Sequence, residues 1–206
     1  MRAAFVVLAK GGLVMIPLAL CSVLALAVVI ERAIRWLRLG GSSEADRLLT
    51  TAARGDWEEA ARAGEGSASP VARVLAAGLR HSGRAVALAM QAAAQDELAQ
   101  LRRYLPLLDT VITLGPLLGL LGTVTGMIRA FGIMAQAGLN QPTAITGGVG
   151  EALVATATGL AVAIGALVPY NFFQRRAEAM TETIERYGSR LELLLAEAPA
   201  ARREAA

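Results

Sequence analysis

Residues 105–134, LPLLDTVITLGPLLGLLGTVTGMIRAFGIM, and residues 147–173, GGVGEALVATATGLAVAIGALVPYNFF, are two apolar stretches joined by a connection without a single charge. A helix needs about 20 mostly apolar residues to cross the hydrocarbon of a bilayer, and each stretch exceeds that. Glycines and threonines punctuate both, and a glutamate, Glu151, stands early in the second. An acid within or beside a span is costly unless it faces protein or a wet pathway, so Glu151 and the threonines around it are where function is sought.

A third apolar run, Gly12 to Ile30, lies near the N-terminus. Ala25 and Ala27 satisfy the small-x-small rule of a cleaved signal peptide. The run, however, continues through Val28, Val29 and Ile30 and then meets Glu31, Arg32, Arg35 and Arg38, which is how a spanning helix stops. A lipoprotein reading of Leu18 to Cys21 fails on the bulky leucine before the cysteine. The expectation is a retained span.

Composition narrows the class. The 206 residues are 55% hydrophobic but only 4% aromatic, with a mean hydropathy of +0.50, a balance that helical membrane proteins favour. The formal charge of +3 comes from arginines scattered through polar segments, without the basic stripe interleaved with aromatics that nucleic-acid binders show. No nucleic-acid partner is expected. Cys21 is the only cysteine, which leaves no intramolecular disulfide and no thiolate cluster. His81 is the only histidine, and Lys10, the only lysine, follows no phosphate-cradling glycine loop. No catalytic residue, metal site or cofactor is therefore expected, and the chain is read as something other than an enzyme.

Charge distribution sets the organisation. Arg32, Arg35 and Arg38 follow the first span, Arg102 and Arg103 precede the second, and Arg175 and Arg176 follow the third. By the positive-inside rule these flanks are cytoplasmic, with Arg2 and Lys10 weakly opposed. The predicted layout is an external N-terminus (1–11), a first span (12–31), a cytoplasmic helical region (32–105), a second span (107–135), an external turn (136–146), a third span (147–173) and a cytoplasmic helical tail (174–206). The fold class is all-α, an integral membrane protein with three transmembrane helices and long cytoplasmic helical extensions, placed in the bacterial cytoplasmic membrane with the N-terminus outside and the C-terminus inside.

Helical periodicity continues outside the spans. Ser43 is a candidate cap for a helix with Glu44 and Asp46 in its first turn, and Gly64, Gly66, Ser67, Ser69 and Pro70 break the pattern. From there Val74, Leu75, Leu79, Val86, Met90, Leu98 and Leu101 recur at roughly helical spacing, with Gly78 and Gly83 as weak points. Such an amphipathic layer packs on its own subunit or binds a partner, and the pattern alone leaves both open. In the tail, arginine and glutamate alternate around Met180, Ile184, Tyr187, Leu191, Leu194 and Leu195, so the third span is predicted to continue as a helix, with the last residues frayed.

Within the two closing spans, Gly115, Gly119, Gly122, Gly126 and Ala130 line one helical face, and Gly148, Ala152, Thr156, Gly159 and Ala163 line another. Small residues at this spacing let membrane helices approach closely, which is the packing role expected of them. If the turn is centred near Asn140, Thr123 and Thr156 lie at nearly one depth, and Arg129 and Glu151 at another nearer the turn. That layering suits a narrow polar path with a charged mouth. It suits equally an Arg129–Glu151 ion pair that locks the hairpin.

PLLGLLGTVTG (116–126), GEALVATATGL (150–160), Tyr170 with Asn171, and VIERAIRW (29–36) together resemble the ExbB/TolQ proton-channel proteins, relatives of the flagellar stator subunit MotA. The resemblance implies a homopentamer whose second and third spans surround the helices of a two-copy, single-span ExbD/TolR-like partner. In that family an aspartate on the partner takes and releases protons, and the assembly works on a TonB/TolA-like energiser. Thr123 matches the threonine of GLxGTVxG, Thr156 that of EALxATA, and Glu151 the glutamate of the same motif. Thr158 stands where the family usually has an apolar residue and ranks second. The family's proline near Gly165 is here displaced to Pro169.

The implied function is a stator-like subunit of a proton-motive-force-driven motor, for transport or envelope maintenance. Its rivals are a structural scaffold without ion conduction and a motility stator relative. A small-solute transporter is disfavoured, since three spans show no internal inverted repeat.

Overall fold

A computed structural model describes residues 12–81, 85–137 and 142–197, with side chains described outside 136–145. The expectations for the N-terminal segment 1–11, Gly83, Asn140 and the frayed last residues lie outside the described residues. Among the described residues the chain is helical, in seven elements: α1 Met15–Leu37, α2 Ser42–Ala53, α3 Trp57–Glu65, α4 Pro70–Leu79, α5 Ala85–Arg102, α6 Leu105–Ala137 and α7 Pro142–Glu197. Three of them, α1, α6 and α7, carry stretches long and apolar enough to cross a membrane.

The helices form two compact units. The first comprises residues up to Glu31 together with Tyr104–Phe172; the second comprises Arg32–Arg103 with the chain from Phe173 onward. In the first, the apolar part of α1 and the α6–α7 hairpin leave most of their large side chains outside. Ile16, Val23, Leu117, Leu120, Ile128, Leu153, Ile164 and Val168 are each roughly half or more exposed. In water that much uncovered apolar surface would be strongly unfavourable, whereas it suits lipid or neighbouring subunits.

The second unit has a core of its own. Its central helix, α4, buries eight of its ten residues, among them Val71, Val74, Leu75 and Leu79. Around it gather Leu48 of α2, Ala60 and Ala61 of α3, Val86 and Met90 of α5, and Ile184, Tyr187 and Leu191 of α7. Fully burying a leucine such as Leu75 or Leu191 stabilises the unit by about 1.5–3 kcal/mol. The amphipathic stripes of 71–101 and of the tail thus find each other, the first of the two readings the pattern left open.

Local breaks follow from identifiable residues. Gly55, at φ +93°, separates α2 from α3. Pro70 opens α4 at its first position, where its missing N–H costs nothing. The expected Ser43 cap is corrected: α2 starts at Ser42 with Gly41 in the cap position and no side-chain cap. Its neighbourhood is fixed differently, by the Gly40 amide donating to the Ala68 carbonyl and by the Ser67 hydroxyl donating to Glu44. Gly78, an expected weak point, is the penultimate residue of α4, and an added Cβ there would come 2.6 Å from Met90 Cγ.

Arginines read as topology markers also build structure. Arg32 is 1% exposed and donates from Nη1 to the carbonyls of Gln100 (2.9 Å) and Leu101 (3.2 Å) in the last turn of α5. Those carbonyls lack intrahelical partners, and a cation is favoured at that end of the dipole. Arg73 chelates Glu97 with two 2.6 Å bonds and donates to the Ser67 carbonyl at 2.7 Å. The Glu97 hydrogen bond holds the Arg73 guanidinium above its ordinary pKa.

Candidate functional site: the seam and charged end of the α6–α7 hairpin

Close approach positions everything else here. A Cβ added to Gly115 would meet the Gly159 carbonyl at 2.9 Å, one on Gly119 the Thr156 Cα at 3.0 Å, and one on Gly126 the Ala152 Cβ at 3.0 Å. Clashes at Gly122, against the Ala155 Cβ, and at Gly159, against the Gly115 carbonyl, would be tighter still. Gly115, Gly119, Gly122, Gly126, Ala152 and Gly159 therefore form one seam, along which the two backbones approach closely.

The threonines divide by what the seam does to them. Thr156 Oγ1 donates across it to the Gly119 carbonyl at 2.9 Å, an interhelical bond that leaves the oxygen's lone pairs free to accept. Thr123 Oγ1 donates to Leu120 on its own helix at 2.7 Å, and Thr158 Oγ1 likewise to Val154 at 2.8 Å. Thr123 and Thr156 do not bond one another. Because Thr156 lies opposite Gly119, Thr123 sits about one helical turn, ~5 Å, nearer the connection.

At the end of the hairpin near the connection, Arg129 Nη1 donates to Glu151 Oε1 at 2.8 Å, the arginine side chain 55% and the glutamate 23% exposed. The segment just before α1 meets the same carboxylate. Gly12 has φ +71°, and any Cβ there would collide with Glu151 Oε1, so only glycine fits both the backbone and the space. Val14, Met15 and Leu18 pack nearby with Leu118. Glu151 thus stands at a corner where all three apolar helices meet.

One carboxylate stands outside the expected set. Asp109, in the second turn of α6, is exposed, and its carboxylate has no hydrogen-bond or ion-pair partner among the described residues. Its signal in the sequence was available: it is the only acid within residues 105–134, at helical spacing from Thr113 and Thr123.

Residues 67–186, which include the whole seam and the Arg129–Glu151 pair, match the MotA/TolQ/ExbB proton channel family. The chain belongs to that family. Its members are channel and stator proteins without catalysis, and among the described residues no group of acids, histidines or cysteines is arranged to hold a metal. Relatives extend the match beyond the hairpin. The biopolymer transport protein ExbB-like 1 of Synechocystis is 40% identical over 200 residues, covering 91% of this chain and 77% of that protein. ExbB-like 3 of the same organism is 37% identical over 171 residues, 80% and 81% of the two chains. The Tol-Pal system protein TolQ of Haemophilus influenzae is 41% identical over 96 residues, 46% of this chain and 41% of its own. Family membership supports a stator-like role linked to proton-motive force.

Proposed function

We propose that this chain is the stator-like subunit of a proton-driven motor in the bacterial cytoplasmic membrane. It assembles as a homopentamer, N-terminus outside and C-terminus inside, around the spans of an ExbD/TolR-like partner. Proton flow through that assembly drives a TonB/TolA-like energiser in transport or envelope maintenance. Thr123, Thr156 and Glu151 line the pathway, with Thr158 in a secondary place, and the titrating aspartate comes from the partner.

The observation that supports this best is the seam within the family-matched residues, which holds the Thr156 hydroxyl beside a bare backbone. A hydroxyl that already donates to a carbonyl can still accept from a protonated carboxyl or a water, so it serves as one station in a relay. Near the connection, Arg129 holds Glu151 in place through a 2.8 Å ion pair at the mouth of the hairpin.

A scaffold without conduction is the rival reading, favoured by the Thr123 and Thr158 hydroxyls turning onto their own helices. Thr156→Val and Thr123→Val separate the two, since each keeps the side chain's shape and removes its hydroxyl. In vesicles containing the chain and its partner, proton flux is expected to fall at least ~10-fold while the complex still assembles. Normal flux in both variants would leave the threonines as packing residues.

A further inference from the structure

We infer that Asp109 is a proton-accepting group at the end of the hairpin opposite the Arg129–Glu151 pair. The inference rests on the pathway reading of Thr123 above and adds a site to it. Three observations converge. First, the described part of the first unit contains three acids, Glu31, Asp109 and Glu151, and they differ in circumstance. Glu151 is tied to Arg129 at 2.8 Å, and Glu31 lies where α1 leaves its apolar run and engages another residue. Asp109 is the acid whose carboxylate has no partner among the described residues.

Second, position makes an uncompensated charge there costly. Asp109 lies in the second turn of α6, about 6 Å along the helix axis from Leu105 at ~1.5 Å per residue, with Leu107, Leu108, Val111 and Ile112 about it. A carboxylate entering a span without a counter-ion takes up a proton or holds water. Either serves proton passage.

Third, Asp109 shares a helical face with the hydroxyl expected to line the path. At 3.6 residues per turn, Asp109, Thr113 and Thr123 fall within an arc of about 80°, roughly 110° around α6 from the glycines packed on α7. This face is not spent on the seam: Asp109 and Thr113 are exposed and Thr123 partly so. Thr113 Oγ1 donates to the Asp109 carbonyl at 3.1 Å, so its oxygen can still accept. The step is a simple transfer. A carboxylate oxygen of Asp109 takes a proton arriving along the face by water or from the partner's carboxyl, and releases it to bulk water at that end.

The test uses the chain with its partner in sealed vesicles, reading proton flux against pH in wild type, Asp109→Asn, Asp109→Glu and Thr123→Val, with assembly checked by native mass. Asp109→Asn should assemble and lose at least ~10-fold in flux. Asp109→Glu should restore flux with a shifted pH profile, which a merely structural carboxylate would not produce. Loss in Thr123→Val with wild-type flux in Asp109→Asn overturns this inference and leaves the proposed function standing. Wild-type flux in both overturns the pathway reading of Thr123 as well. If Asp109→Asn fails to assemble, the pH profile of Asp109→Glu decides, an unchanged profile counting against the role.

Discussion

At the scale of single residues, the Arg129–Glu151 pair poses the sharpest question, because a counter-ion and a channel mouth look alike until the charges are exchanged. Removing either charge leaves the other uncompensated near the span's end, a loss of about 1–3 kcal/mol in stability. The exchange Arg129→Glu with Glu151→Arg restores the pair and should recover that stability. Motor activity should not return with it, since Glu151 falls in the family-like motif and meets α1 at Gly12, contacts an arginine in its place cannot make. Glu151→Gln should likewise assemble and fail to energise the partner. Full activity in the exchanged pair would reduce Glu151 to a structural counter-ion. In the second unit, Arg73→Ala strands the Glu97 carboxylate, whose side chain is only 12% exposed, and the Ser67 carbonyl. The expected loss is about 1.5–3 kcal/mol, read as a lower Tm of the purified protein.

Among elements, the hairpin depends on which glycines face the seam. Gly122→Ala and Gly159→Ala place a methyl group where the opposing helix already stands, so α6 and α7 must separate. Gly132→Ala and Gly165→Ala meet nothing within 4 Å in the protomer and gain helix propensity of about 1 kcal/mol. Thermal stability of the four variants should therefore split two against two, and equal behaviour would contradict the seam. Helix boundaries have comparable local causes. Tyr104, at φ +68°, breaks the chain between α5 and α6, and α7 runs through Pro169 without interruption. The sequence placed a boundary close by, at 105–107, but not the left-handed turn itself, because a tyrosine carries no turn signal. The second was left open, because a proline interrupts or merely bends a helix according to what surrounds it.

For the whole molecule, orientation is the property on which the motor reading turns. Single cysteines at Gln136, Ala63 and Ser189, introduced in a Cys21→Ser background, should react with an impermeant thiol reagent on intact cells only at Gln136. Reaction at Ala63 and Ser189 instead would invert the assignment. Much of the molecule was legible beforehand, since spans need unbroken apolar runs and amphipathic helices need periodic ones. The two closing stretches, the stripes around Val74 and Ile184, and the motifs around Thr123 and Thr156 were readable on that ground alone. By itself the sequence determined that the chain is helical, that three segments suit a bilayer, and which motifs it shares with its family. Only the tertiary structure decided that Thr156 bonds across the seam while Thr123 does not, and that Arg32 closes the last turn of α5. It alone decided, too, that Glu151 has a partner and Asp109 none among the described residues. The reason is physical: periodicity fixes which face a residue occupies, but a partner depends on the register and separation of helices distant in the chain, and no local pattern encodes those.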